Sequence, residues 1–147
     1  MMTENGPLRA VVGNDGGIGI DINGWSWNRF ANVLYVDAPA GVGFSYSNTT
    51  SDYNTNDTKT AIDNYAFLQG WFDRFPSFKN QSLFLTGESY GGNYVPQLAA
   101  QIINGPDKQL AQRLTGLAIG NPVFSCASWK ATQDNIQANL FYWHGEL

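Results

Sequence analysis

Leu83-Phe84-Leu85-Thr86-Gly87-Glu88-Ser89-Tyr90-Gly91-Gly92-Asn93-Tyr94-Val95-Pro96 runs from an apolar segment of strand length, through a glycine-rich turn, into a helical pattern. Leu83 to Gly87 is short and apolar, and Val95, Leu98, Ala99 and Ile102 then recur at helical spacing until Asn104-Gly105 supplies a C-terminal cap. Between the two, Gly87-Glu88-Ser89-Tyr90-Gly91 fits Gly-x-Ser-x-Gly in the context that gives the pattern meaning, after a strand and before a helix. A serine on so sharp a turn holds a strained backbone. The glycines two before and two after it, Gly87 and Gly91, are expected where a Cβ would clash. The bland alternative is a glycine-rich helix start with an ordinary N-capping serine. Pro96 removes one backbone hydrogen bond from the helix, so a kink is expected there.

The flanking sequence extends the alternation. Asn32 to Asp37 is strand-prone and ends in an acid, and Ala38-Pro39-Ala40-Gly41-Val42-Gly43 reads as a loop. From Thr58 to Phe75 the apolar positions Ile62, Tyr65, Leu68, Phe72 and Phe75 predict a helix with one face inward, stopped by Pro76. Ser47 to Thr60 is polar and reads as a surface loop. Leu114 to Ile119 is a further short apolar run, ended by Gly120-Asn121-Pro122. Strand, helix, strand, helix, strand builds a mostly parallel sheet with flanking helices, so the class is α/β. A dinucleotide loop at Gly41-Val42-Gly43 fails, because Tyr46 stands where the third glycine belongs and no helix opens there.

Composition narrows the function. The 147 residues suffice for one core, and 43% hydrophobic content excludes a disordered tail. Charged residues make up 14%, the net charge is −4 and no basic run occurs, which argues against nucleic acid as a partner. No apolar stretch approaches the roughly 18–20 residues of a membrane span. The first residues lack the basic and apolar segments of a signal peptide, so an export signal would have to lie upstream. Three sequons, at Asn48, Asn56 and Asn80, lie in polar surroundings and point toward a secretory history. Cys126 is the chain's single cysteine, so any disulfide partner lies outside the chain; with one histidine besides, no metal site or cofactor is expected.

A serine nucleophile requires a base. The single histidine, His144, follows Ser89 with Asp107 and Asp134 between them, an order compatible with Ser, acid, His. Beside Phe141, Tyr142 and Trp143, it also fits a packing or surface residue.

Two blocks extend these motifs: Trp25 to Ser47, with Asn32-Val33-Leu34-Tyr35-Val36-Asp37-Ala38-Pro39-Ala40-Gly41-Val42-Gly43-Phe44-Ser45 at its centre, and Leu85 to Pro96. Together with Glu4-Asn5-Gly6-Pro7-Leu8 and Ile119-Gly120-Asn121-Pro122, they closely resemble the serine carboxypeptidases, in the same order and over nearly the whole chain. The resemblance implies a single partial α/β-hydrolase domain over residues 1–147. It implies that Ser89 is the acylated nucleophile, that the Tyr90 backbone N–H is one oxyanion donor, and that Glu4 and Glu88 pair to receive a peptide's C-terminal carboxylate. Two close carboxyls resist double ionisation, so one keeps a proton to donate to an anionic substrate. That favours acidic working conditions.

By the same resemblance, the Asn-Gly-Gly-Pro-Gly segment with the second oxyanion donor would precede residue 1, and the catalytic Asp and His would follow residue 147. His144 then corresponds to a non-catalytic position, and the substrates are peptides with a free C-terminus. The parent protein would belong to the secretory pathway, in a vacuole, a lysosome or outside the cell. An esterase or acyltransferase on the same scaffold, or a catalytically dead binding module, remains open.

Overall fold

The computed structural model describes residues 4–123, which fall into two compact units meeting between Asp37 and Ala38. His144, Asp134 and Cys126 lie outside the described residues.

The first unit is built on an antiparallel hairpin of β1 (Leu8–Val12) and β2 (Ile18–Ile22), in register from Leu8↔Ile22 to Val12↔Ile18. Its connection turns at Gly16, whose φ of +79° favours a residue without a Cβ. Asp15 Oδ1 accepts from Gly17 N at 3.0 Å, and Gly13 N bonds Gly17 O at 2.8 Å. Leu8, Ala10, Val12, Ile18, Ile20 and Ile22 share one face of the ribbon, because side chains alternate along a strand. On the other face Arg9 meets the Asp21 carboxylate at 2.8 Å. That hydrogen bond, followed by one from the Ile22 backbone N–H, holds the Asp21 carboxyl below its ordinary value. Both partners are half exposed, so the pair contributes little to stability. Asn23 is buried and satisfied: its Nδ2 donates to Glu4 O and Gly6 O, both at 2.9 Å, and its Oδ1 accepts from Trp25 N.

The strand expected over residues 32–37 does not form. No strand among the described residues pairs with the segment, and Leu34, Tyr35 and Val36 are exposed. Strand propensity alone cannot close a ladder, since each backbone group needs a partner from another segment.

The second unit contains α1 (Asp57–Arg74), β3 (Leu83–Glu88), α2 (Gly91–Asn104), α3 (Lys108–Arg113) and β4 (Leu114–Gly120). α1 begins one residue before the expected start, because Asn56 Oδ1 caps it by accepting from Lys59 N at 2.9 Å. It therefore takes up the last four residues of the polar stretch read as a loop, and Thr60 is buried. Its inward face is Ala61, Leu68 and Phe72, with Tyr65 and Trp71 packed beside them. Ile62 is half exposed, contrary to expectation. Each step of three falls about 60° short of a full turn, so two in succession rotate Ile62 off the face that Leu68 buries.

β3 and β4 pair in parallel, from Phe84↔Gly116 to Glu88↔Gly120, and α2 packs against both. This is a partial α/β fold. α2 continues unbroken through Pro96. Gly105 caps it in an extended conformation with φ −69°, not the left-handed one; it is glycine because a Cβ there would lie 2.5 Å from Tyr65 Oη. Asp107 caps α3 by accepting from Leu110 N at 2.9 Å. The core joins Leu68, Phe72, Leu85, Val95, Ala99, Ile102 and Leu110, and the Arg113 guanidinium sits 4.1 Å over the Phe72 ring. No helix among the described residues is long and apolar enough to cross a membrane.

Ile102 is 0% exposed and Ile22 75%. Ile102→Ala should cost about 2–5 kcal/mol in urea unfolding, whereas Ile22→Ala should stay within about 0.5 kcal/mol.

Candidate functional site

The turn between β3 and α2 concentrates the candidate residues. Gly87 and Glu88 end the strand, Ser89 forms the turn, and Tyr90 precedes the first helical residue, Gly91. Ser89 has φ +54°, in the left-handed region that costs a residue with a Cβ on the order of 1–3 kcal/mol. Something must hold it there, and the last residue of β4 and the segment after it do. Ser89 N donates to Gly120 O at 3.0 Å, and Val123 N donates to Ser89 O at 2.8 Å. The second bond is itself secured from the helix, where Asn93 Nδ2 donates to Val123 O at 2.9 Å. Asn121 reaches the required direction with φ +38°. Gly92 N closes the helical side by donating to Ser89 O at 3.1 Å.

Two glycines are required by close approach, and one of them differs from expectation. A Cβ on Gly87 would come 2.9 Å from Val95 Cγ2 and 3.2 Å from Gly91 Cα. On Gly91 it would meet nothing within 4 Å, because that bond direction opens into space. The crowded position is Gly92, where a Cβ would lie 2.5 Å from Val123 O and 2.8 Å from Pro122 Cβ. Gly92 and Asn93 thus join the turn as residues that the Gly-x-Ser-x-Gly pattern does not include. Their only sequence signals are the doubled glycine and the Gly120-Asn121-Pro122 break.

The Ser89 side chain is exposed, and it stands at the N-terminus of α2. Unpaired N–H groups of a first helical turn favour negative charge nearby, which suits an alkoxide or oxyanion at this place. Among the described residues no side chain hydrogen-bonds the Ser89 hydroxyl. Asp107, formally available as the acid, is committed to capping α3. Glu88 is exposed at the end of β3, whereas Glu4 belongs to the first unit, where its backbone carbonyl is tied to Asn23. Asn48 and Asn80 are exposed in turns, and Asn56 is exposed as the cap of α1.

A strained serine between a parallel strand and a helix is the arrangement of an α/β-hydrolase-type protein. Compared with known families, residues 1–146 match the serine carboxypeptidases, and the chain belongs to that family. It is 49% identical over 144 residues to serine carboxypeptidase-like 46 of Arabidopsis thaliana, covering 97% of this chain and 29% of that protein. It is 44% identical over 147 residues to the mouse (Mus musculus) lysosomal protective protein, covering 28% of it. Among solved structures it resembles Kex1(delta)p, a prohormone-processing carboxypeptidase from Saccharomyces cerevisiae, with a TM-score of 0.66 and 28% identity over 83% of this chain and 27% of that one. The chain therefore spans less than a third of the relatives it matches.

The contrast between adjacent glycines is testable. Gly92→Ala should push the 122–123 segment off the turn and lower stability by about 1–3 kcal/mol, while Gly91→Ala should be close to neutral, both read from urea midpoints at constant slope.

Proposed function

We propose that this chain is the nucleophile-bearing part of a serine-type carboxypeptidase, with both units belonging to one partial α/β-hydrolase domain. The observation that carries this reading is Ser89, at φ +54° on a strand-to-helix turn and held on both sides by the 120–123 segment. In the proposed reaction the Ser89 hydroxyl oxygen attacks the carbonyl carbon of the last peptide bond while its proton passes to a histidine. The oxyanion is received by the Tyr90 backbone N–H and a second donor. The C–N bond then breaks, the histidine's proton goes to the leaving amine, and the C-terminal residue departs. Water hydrolyses the acyl-enzyme. Glu88, exposed at the end of β3, binds the substrate's C-terminal carboxylate. The histidine, its aspartate and the second oxyanion donor come from segments beyond this chain.

The names of the relatives favour a carboxypeptidase over an acyltransferase, esterase or inert binding module on the same scaffold. Passage through the secretory pathway, with glycans at Asn48, Asn56 or Asn80, accompanies this reading.

An unassisted serine hydroxyl is a weak nucleophile, and loss of an oxyanion donor costs a further ~10²–10³-fold in rate. The isolated chain should therefore show no carboxypeptidase turnover and only slow modification by a serine-directed organophosphonate. A version extended with the segments that flank the match in serine carboxypeptidase-like 46 should be labelled stoichiometrically at acidic pH, and Ser89→Ala should abolish that label. A label that survives Ser89→Ala would overturn the assignment of the nucleophile. Rapid, Ser89-dependent labelling of the short chain would place a base within it.

A further inference from the structure

Tyr90, whose backbone N–H is the proposed oxyanion donor, is tied through its side chain to a residue 33 positions earlier. Its hydroxyl donates to the Asp57 carboxylate, at 3.0 Å to Oδ2 and 3.2 Å to Oδ1. The ring also packs edge-on against Tyr94, one helical turn further along, with centroids 5.0 Å apart. Asp57 is half-buried at the first position of α1 and is an anchored partner. The turn before it is cross-linked: Asn56 caps Lys59 N, Lys59 Nζ donates to Asp52 O at 3.1 Å, and Ser47 Oγ donates to the Asp52 carboxylate at 2.6 Å. The Thr60 hydroxyl donates back to Asn56 O at 2.9 Å.

We infer that Asp57 is a positioning residue for the candidate oxyanion donor, holding Tyr90 by its phenol so that the amide following Ser89 keeps its direction. The inference rests on the proposed role of the Tyr90 N–H. From the β4 side, Gly120 O holds Ser89 N, and Val123 N holds the Ser89–Tyr90 peptide by its carbonyl oxygen, Ser89 O, while the far end of that peptide, at Tyr90, is anchored through the Tyr90 side chain. The Asp57 carboxylate supplies that anchor from the first position of α1. A carboxylate accepting a phenol proton makes a charge-assisted bond, stronger than a neutral one.

The test is a double-mutant cycle on the 147-residue chain, read by NMR as the rate of proton exchange between the Tyr90 amide and water. Asp57→Ala and Tyr90→Phe should each raise that rate on the order of fivefold, and the double variant should raise it no further, because both remove the same bond. Asp57→Asn, whose Oδ1 still accepts, should restore most of the protection. If Asp57 served only the start of α1, its removal would loosen the Thr60 and Ala61 amides whether or not the Tyr90 hydroxyl were present. Additive effects, or an unchanged Tyr90 rate in Asp57→Ala, would overturn the inference. Failure of the nucleophile reading is distinguishable, because it appears as organophosphonate labelling that persists in Ser89→Ala while the exchange cycle still gives its own answer.

Discussion

The constraint on which the second unit depends is the left-handed backbone at Ser89. A residue with a Cβ does not stay in that conformation by itself, so the surrounding structure must over-determine it. Two hydrogen bonds do so, from Ser89 N to Gly120 O and from Val123 N to Ser89 O. Both exist only because β3 and β4 run parallel with Glu88 opposite Gly120, which brings the ends of the two strands level. Parallel pairing in turn requires a crossover, and α2 with α3 provides it. Ile102 and Leu110, each fully buried, fasten that crossover to α1 and the sheet.

The same constraint explains the choice of small residues. Gly87 admits Val95 and the start of α2, and Gly92 admits the 122–123 backbone, so helix and strands approach within van der Waals contact at the turn. Asn93 converts the close approach into a directional lock on Val123. The side chain that results is exposed on a rigid backbone, as a nucleophile must be to meet substrate without reorganisation.

Apolar surface is unevenly disposed in both units. One face of the β1–β2 ribbon is wholly apolar, with Ile20 64% exposed, and on the second sheet Phe84 stands exposed on the side that α2 does not cover. Parallel sheets are ordinarily covered on both faces. A chain aligned with less than a third of its relatives' length is consistent with such faces being part of a larger assembly of elements.

The sequence by itself determined the order and type of α1, β3, α2 and β4, because helical and strand periods are local properties of the apolar pattern, whereas the six-residue α3 is too short to show a period. The Gly-x-Ser-x-Gly turn and the family were legible for the same reason, each being a contiguous run. The β1–β2 hairpin also leaves a signal, two alternating runs around Asn14-Asp15-Gly16-Gly17, which a reading centred on the serine passes over. What only the tertiary structure decided are relations between distant residues. Residues 32–37 have the composition of a strand but form none, Gly92 rather than Gly91 is the crowded glycine, and Asp57 reaches Tyr90 across 33 positions. Hydrogen bonding and steric crowding depend on which atoms come within about 3 Å, and periodicity along the chain carries no information about that.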